Sequence, residues 1–218
     1  MNFGRPFSFA FEDPDWLKKI ALAALVTLIP VVGQFFIMGW GLEITRRVIK
    51  GEPTLLPDLD FGKNLGTGFK AWVISLVYSI PFMVMAIPIV LVPVLGGVAG
   101  MDEETMGIMV AAISCCCGGL MFLYGILIMF MIPAGLGRFM DTDQMGAAFK
   151  VKEVFALVKA APMAYLIAIG GAIVAGFIAP LGGIAFGIGA IFTAAYATVI
   201  VSHFYGQAYN EAKAAQRL

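Results

Sequence analysis

The fold is decided by the stretch AWVISLVYSIPFMVMAIPIVLVPVLGG, residues 71–97, which contains no Asp, Glu, Lys or Arg. A helix needs about 20 apolar residues to cross the hydrocarbon core of a bilayer, and a charged side chain at the bilayer centre costs at least about 2.5–3.5 kcal/mol. Residues 71–97 meet the length requirement without any charge. We therefore predict a membrane-spanning helix here.

Three more charge-free runs, residues 20–42, 105–137 and 160–210, repeat the pattern. The chain is 61% hydrophobic and 13% charged, whereas soluble domains carry about 25% charged residues. Its mean hydropathy is +0.93. The formal net charge is zero, so the basic footprint of a nucleic-acid-binding protein is absent. The sequence predicts an all-α integral membrane protein, a single polytopic domain over residues 1–218.

The positions of the charges predict the topology. All 14 Lys and Arg residues lie between or outside the apolar runs, and only the acidic Asp102, Glu103 and Glu104 separate residues 71–97 from 105–137. Lys and Arg accumulate on the cytoplasmic side of membrane proteins. The acidic turn is therefore expected outside, and the C-terminus, with Lys213 and Arg217, is expected in the cytoplasm.

The number of spans depends on the first apolar run. Residues 163–204 are long enough for two spans that break at residues 179–183, where Pro180 and Gly182 permit a turn. Residues 20–42 form either one span, for five in total, or two short helices turning at residues 30–33, for about six. We favour six spans as three hairpins, over residues 13–50, 57–139 and 143–210, because every basic residue then stays inside.

An amphipathic segment precedes each hairpin, at residues 7–19, 56–72 and 143–159. Each is expected to form a helix in the inner interface. In the first segment, Asp13 and Pro14 suit the N-cap and the first helical position. Within the third span, a set of prolines is expected to kink or break the helix: Pro81, Pro88 and Pro93.

Four short motifs resemble those of a known family: FEDPDWLKK at residues 11–19, Ile29-Pro30 before Gly33, GWGLE at residues 39–43, and LPDLDFG at residues 56–62. They are similar to the domain-of-unknown-function 4013 family, polytopic membrane proteins of bacteria and archaea. The resemblance covers about residues 9–75, and beyond them only the pattern of spans matches. It implies a bacterial or archaeal cytoplasmic membrane protein and no assigned activity.

No catalytic or metal-binding motif is present. The chain has one histidine, His203, which excludes a site built on two histidines and leaves only a weak candidate ligand for a haem or chlorophyll. Cys115, Cys116 and Cys117 are adjacent, so they cannot form an ordinary disulfide with one another, and their spacing does not suit zinc. We expect no cofactor, no metal and no enzymatic activity.

Charged and aromatic side chains at the inner ends of the spans are candidates for interfacial or partner contacts. Glu43 precedes Arg46 and Arg47 at the spacing of a helix-surface ion pair. The full set is Trp16, Lys18, Lys19, Glu43, Arg46, Arg47, Phe61, Phe69, Trp72 and Arg138. Small residues of the last two spans are candidates for close helix packing or self-association: Gly171, Gly176, Gly183 and Gly187.

No Asp, Glu, Lys or Arg lies at mid-membrane depth, which argues against an ion-coupled carrier. We expect a non-enzymatic membrane protein, a scaffold or accessory subunit that binds membrane lipids or other membrane proteins. The alternative is a small transporter or channel for an uncharged or amphiphilic solute, favoured by the prolines of the third span. A membrane enzyme ranks third.

Overall fold

The computed structural model describes residues 1–52, 56–184 and 188–216, and every regular element within these ranges is helical. This confirms the all-α class for the described residues. The elements, in chain order, are α1 (Arg5–Ser8), a 3₁₀ turn (Phe9–Glu12), α2 (Trp16–Val26), α3 (Val32–Lys50), α4 (Phe61–Val98), α5 (Glu103–Thr142), α6 (Met145–Ala148), α7 (Val151–Ala160), α8 (Pro162–Leu181), a 3₁₀ turn (Gly182–Ile184) and α9 (Gly189–Ala215).

In the part of the chain that the structure describes, three helical segments are long and apolar enough to cross a membrane: α4, α5 and Pro162–Ile184, which contains α8. Their most apolar windows have mean hydropathies of 2.3, 2.3 and 2.1, as expected for a membrane protein. The other candidates meet fewer criteria. With 11 residues, α2 is about 16 Å long, about half of the hydrocarbon core. Polar side chains such as Ser202, His203 and Gln207 interrupt the apolar character of α9.

The helices end where local sequence predicts a break. The chain leaves the α-helical path at residues 27–31, around Pro30, at residues 99–102, before the acidic turn, and at residues 182–184, which form a 3₁₀ turn. Proline removes a backbone donor and glycine permits unusual dihedral angles, so these signals act locally. We refer to α2 with α3 as hairpin one.

Some local predictions are wrong. The first amphipathic segment, residues 7–19, is not one helix, because it is divided among α1, the 3₁₀ turn Phe9–Glu12 and the start of α2. The helix α2 begins at Trp16, because the Asp13 carboxylate closes a turn on the Asp15 N–H (2.8 Å) instead of capping the helix. The second amphipathic segment is not a separate helix but the first turns of α4, which then continues through Pro81, Pro88 and Pro93 without ending. Each proline removes one backbone hydrogen bond, and the intact turns around it maintain the helix.

The chain divides into two compact units, and the prediction of a single domain stays a prediction. The second unit is Ser75–Met129, the C-terminal part of α4 with the N-terminal part of α5. Within it, the Tyr124 hydroxyl donates to the Tyr78 carbonyl oxygen (2.7 Å), and the Phe82 and Tyr124 rings meet edge to face at 5.6 Å. These contacts join the two helices of this unit.

The first unit comprises Met1–Ile74 and Phe130–Leu218, and α9 lies at its centre. Helices α1, α2, α3, α7 and α8 all pack against α9. The Thr45 hydroxyl of α3 donates to the Ser202 carbonyl oxygen of α9 (2.8 Å). On the other side of α9, a Cβ on Gly171 of α8 would overlap the Phe204 ring. Glycine therefore lets α8 approach α9 closely, as predicted for Gly171.

Candidate functional site: a charged rim and a cavity beside hairpin one

Lys19 holds the start of α2 in place. Its ammonium donates to Asp13 Oδ2 (2.9 Å) and to the Leu56 carbonyl oxygen (2.8 Å), and it pairs with Asp58 Oδ1 (3.2 Å). An ammonium has three N–H donors, so each has an acceptor here. Burial of the Asp13 carboxyl opposes its ionisation, but the hydrogen bonds from Lys19 and the Asp15 N–H outweigh burial and hold the pKa of Asp13 below its usual value. Lys19 is thus an internal contact.

Glu43 links α3 to α4. Its carboxylate lies 3.7 Å from Arg46 Nε and 3.1 Å from Lys63 Nζ. Arg46 also donates to Asp143 Oδ1 (2.7 Å), which follows α5. The predicted ion pair between Glu43 and Arg46 is confirmed, and Arg47 lies partly buried on the same turn.

Two further ion pairs join the end of α5 to later helices. Arg138 pairs with Glu153 of α7, which also lies 3.5 Å from Lys150 Nζ. Asp141 accepts from Lys213 Nζ (2.6 Å) and from the Tyr209 hydroxyl (2.9 Å), both on α9. We call the combined set the ionic belt: Asp13, Lys19, Asp58, Glu43, Arg46, Lys63, Asp143, Arg138, Glu153, Lys150, Asp141 and Lys213. It cross-links segments distant in sequence.

The outer face of α7 differs from the ionic belt. Val154 and Leu157 are buried against the first unit, whereas Val151 (59%) and Phe155 (42%) are exposed. Lys152 and Lys159 are exposed beside them, and neither has a carboxylate within ion-pair distance among the described residues. Lys159 Nζ lies 5.8 Å from the centroid of the Phe155 ring. This face combines free positive charge with exposed apolar surface.

The aromatic candidates of α4 contact α3. Phe61 stacks on Phe36 (5.5 Å between ring centroids), and Phe69 and Trp72 each meet the edge of Phe35 at 5.7 Å. Each of the three α4 rings nevertheless remains 43–51% exposed. Of the earlier aromatic candidates, Trp16 is partly buried and meets Phe11 edge to face at 4.9 Å, and its neighbour Lys18 is exposed.

Two glycines allow α3 and α4 to touch backbone to backbone. A Cβ on Gly68 would overlap the Phe35 carbonyl oxygen, and a Cβ on Gly39 would overlap the Asn64 carbonyl oxygen. The predicted Gly176 and Gly183 are exposed, and a Cβ added at either would have no atom within 4 Å. Gly187 lies outside the described residues.

Two adjoining cavities flank the N-terminal turn of α3. Their volumes are about 540 and 360 Å³, and they share Gln34, Ile37 and Thr198. Among the described residues, no charged side chain lines either cavity. The further walls of the larger one are Val31, Phe35, Met38 and Trp72, and those of the smaller one are Thr27, Leu28, Ala190, Ile191, Ala194 and Ala195. We call the joined space the Gln34 cavity.

A family model described as "Protein of unknown function (DUF4013)" matches residues 22–188. The chain belongs to the DUF4013 family. The match confirms the resemblance found in its N-terminal third and extends it from α2 to the end of α8. No curated protein and no solved structure is significantly similar to this DUF4013 chain.

His203 of the DUF4013 chain is 2% exposed and its tautomer follows from its neighbours. Gln207 Oε1 accepts from the Asn2 N–H (2.9 Å), so Gln207 Nε2 is the atom that donates to Asn2 O (3.2 Å) and His203 Nδ1 (3.0 Å). A neutral ring then carries its proton on Nε2. Nε2 is buried, and the centroid of the Phe9 ring lies 4.5 Å from the centroid of the imidazole ring. A haem or chlorophyll therefore does not fit unless Phe9 moves.

Residues 1–52, 56–184 and 188–216 contain no candidate metal site. No three metal-ligating side chains cluster there. Cys115 and Cys116 are exposed, Cys117 is partly exposed, and all three are free thiols.

Sequence reasoning missed Gln34 and the role of Asp13. Gln34 had a signal, because it is the only amide side chain within the charge-free run of residues 20–42 of this DUF4013 chain. Asp13 had none, since its buried state depends on Lys19 and on residues 56–58, which arrive much later in the chain.

Proposed function

We propose that this DUF4013 protein is a non-enzymatic, multi-pass scaffold or accessory subunit of a prokaryotic cytoplasmic membrane, which binds anionic lipids and neighbouring membrane proteins at its inner face. The observation that carries the proposal is the exposed face of α7, where Lys152 and Lys159 lie beside Val151 and Phe155. Basic and apolar residues side by side on one helix are typical of binding to an anionic membrane surface.

The proposed topology has six membrane-embedded helices in three hairpins, α2 with α3, α4 with α5 and α8 with α9, with the ionic belt at the inner boundary and the C-terminus inside. Hairpin one enters from the inner side and reaches only part of the way across, because α2 is about 16 Å long. The 27 residues of α9 are long enough to return from the outer side. The acidic residues 102–104 lie outside, and all basic clusters lie inside.

Because the charges of the ionic belt are paired, α7 is a better candidate than the belt for binding anionic lipids. Glu153 is the only acidic residue of α7, and it is paired with Arg138 and Lys150. Lys152 and Lys159 therefore keep their full charge for a ligand. Helix α8, a helix apolar enough to span, begins at Pro162, directly after α7 ends at Ala160. This places α7 at headgroup depth in the proposed topology.

Lipid selectivity measures this function. The full chain is mixed with equimolar phosphatidylglycerol and phosphatidylcholine in mild detergent, and bound lipids are counted by native mass spectrometry. Each lysine near an anionic surface contributes about 1 kcal/mol, or about fivefold, so the double change Lys152→Gln and Lys159→Gln should lower the preference for phosphatidylglycerol by about 20-fold or more. Arginine at both positions should retain it.

The control is Lys50→Gln, which removes one exposed charge at the end of α3. It should leave the preference within about twofold of wild type, since surface charges away from the binding face contribute little. An unchanged preference in the double glutamine variant, or no preference in the wild type, would contradict the proposed role of α7.

The second candidate function is a transporter or channel for an uncharged or amphiphilic solute. It is favoured by the Gln34 cavity, which is free of charged residues and carries one amide. Ligand pockets commonly have volumes of about 300–1,000 Å³ with a few polar groups. Movement of a solute across liposomes that contain the purified chain would support transport, and a rate equal to that of empty liposomes would contradict it.

A further inference from the structure

We propose that the Gln34 cavity binds an uncharged long-chain lipid that carries a single carbonyl or hydroxyl group, such as a fatty alcohol or a long-chain ketone. The proposal rests on the membrane placement proposed above, and it does not depend on lipid binding at α7. Two observations carry it, the polarity of the walls and the strained turn beside Gln34, together with the depth of Gln34 in the proposed topology.

Among the amide and hydroxyl side chains of the described walls, Gln34 is the one that keeps free N–H donors. The hydroxyls of Thr27 and Thr198 already donate to the carbonyl oxygens of Ala24 and Ala194 in their own helices. The Gln34 side chain is exposed to the cavity, and its amide supplies two N–H donors and one acceptor oxygen. In hydrocarbon an unpaired amide is costly, so a ligand with one polar group among apolar atoms complements this site.

The depth of Gln34 excludes charged headgroups. Along α3, Gln34 lies about 13 Å before Glu43 at about 1.5 Å per residue. With Glu43 at the inner boundary, Gln34 is close to the centre of a hydrocarbon core about 30 Å thick. A phosphate or carboxylate group at this depth would be unpaired in a low-dielectric medium, since no cation lines the cavity. A long-chain alcohol or ketone reaches this depth without that cost.

The turn at the tip of hairpin one is strained and held in place. Val31 has φ 65° and ψ −56°, and the Val32 N–H donates to the Pro30 carbonyl oxygen (2.7 Å). This is a γ-turn with positive φ, which is costly for a β-branched residue. Gly33 packs against the backbone of Val26 and Thr27 with no room for a Cβ. Such strain persists only where surrounding contacts fix it, and it clusters at ligand sites.

The turn therefore fixes the wall of the cavity before any ligand arrives. Val31 lines the larger cavity, and Gln34 follows in the first turn of α3. A preformed wall lowers the entropy cost of binding, because few groups are ordered when the ligand enters.

Photoaffinity labelling tests the site. The full chain, reconstituted in phosphatidylcholine nanodiscs, is irradiated with hexadecanol that bears a diazirine in its chain, and labelled residues are mapped by mass spectrometry. Labels are expected on residues 31–38 and on Trp72. Gln34→Leu should reduce labelling about three- to tenfold, the value of a lost hydrogen bond. Thr198→Phe, which fills the shared wall, should abolish it.

Three controls make the result decisive. Met38→Leu keeps the volume of a lining side chain and should leave labelling unchanged. Ala194→Leu fills the smaller cavity, and it replaces Thr198→Phe if that variant yields no folded protein. Hexadecanoate with the same diazirine should label these residues at least tenfold less than hexadecanol.

Equal labelling of wild type, Gln34→Leu and the space-filling variants would overturn the proposal, as would equal labelling by hexadecanoate. The two proposals fail separately. The double glutamine variant of α7 should label with hexadecanol as strongly as wild type, and Gln34→Leu should keep the wild-type preference for phosphatidylglycerol.

Discussion

The ion pairs of the chain differ in how deeply their side chains are buried. Burial decides how much each pair contributes to the free energy of unfolding. Asp13 is 2% exposed and Lys19 16% exposed, whereas the side chains of the nearby Arg5–Glu12 pair are 35% and 50% exposed. Exposed pairs contribute about 0–1 kcal/mol, but removing one partner of a buried pair leaves an uncompensated charge. Asp13 with Lys19 is therefore the pair on which the N-terminal segment depends.

Asp13→Asn should lower the free energy of unfolding by about 2–3 kcal/mol, because Lys19 loses its closest charged partner while part of its side chain still reaches water. Thermal unfolding in a mild detergent, followed by circular dichroism, measures the change. The controls are Lys18→Met, an exposed neighbour, and Glu12→Gln, both expected within about 0.5 kcal/mol of wild type. An Asp13→Asn variant as stable as these controls would show that the Asp13–Lys19 ion pair is not needed for stability.

The same pair gives a pH dependence with a defined sign. Because the pKa of Asp13 is lower in the folded state, its contribution is complete above the ordinary carboxyl pKa of about 3.9 and is lost as the pH falls through the lower folded value. The stability difference between wild type and Asp13→Asn should stay constant from about pH 5 to 8 and shrink below about pH 4. A difference that grows on acidification would contradict this assignment.

At the scale of elements, the crossing of α3 and α4 is set by glycine positions rather than by side-chain interlock. Gly68 touches the α3 backbone, whereas a Cβ added at Gly66 on the same helix would have no atom within 4 Å. In lipid there is no hydrophobic force between helices, so close backbone approach is a main source of association. The two glycines form a matched pair for testing this crossing.

Gly68→Ala should destabilise the protein by about 2 kcal/mol or more, because the new methyl group overlaps the Phe35 carbonyl oxygen and the helices must separate. Gly66→Ala should be neutral or stabilising by up to about 1 kcal/mol, since alanine favours the helix. Thermal unfolding in mild detergent compares the two variants. If both variants unfold at the same temperature, the backbone contact at Gly68 is not what holds α3 to α4.

Local signals explain why some elements were predictable and others were not. Pro30, the acidic residues 102–104 and Pro180 mark helix breaks with information carried in a few neighbouring residues. The amphipathic pattern of residues 143–159 was recognisable for the same reason, and α7 forms within it. The start of α2, the contact of Gly39 with Gly68 and the setting of Gln34 each depend on segments far apart in sequence. The pattern of residue types along the chain does not show which distant segments come into contact.

At the scale of the whole molecule, the lengths of the helices are uneven. With 38 and 40 residues, α4 and α5 are about 57 and 60 Å long, whereas α2 has 11 residues. The hydrocarbon core is about 30 Å thick. The long helices require tilting, or extend past the core, while the short one stays within it. Topology at the first apolar run is thus the decisive measurement.

Cysteine accessibility decides between five and six spans. Single cysteines replace Glu12 or Glu103 in a chain whose Cys115, Cys116 and Cys117 are changed to alanine. Glu12 suits this test because its side chain is 50% exposed, whereas Ala10 is fully buried. A membrane-impermeant maleimide should label position 103 in intact cells and position 12 only after permeabilisation. Labelling at position 12 in intact cells would establish a single span at the first apolar run.

The central position of α9 has a consequence for how the chain is made. Ribosomes deliver about 5–20 residues per second, so hairpin one leaves the exit tunnel about 10–30 seconds before α9 is complete. Until then Ala23 and Ala24 of α2 lack Val199 of α9 as a neighbour in the core. A newly inserted chain therefore has hairpin one in the membrane before α9 can pack against it. A translocon or insertase that retains the early helices would protect them from quality-control proteases during this interval.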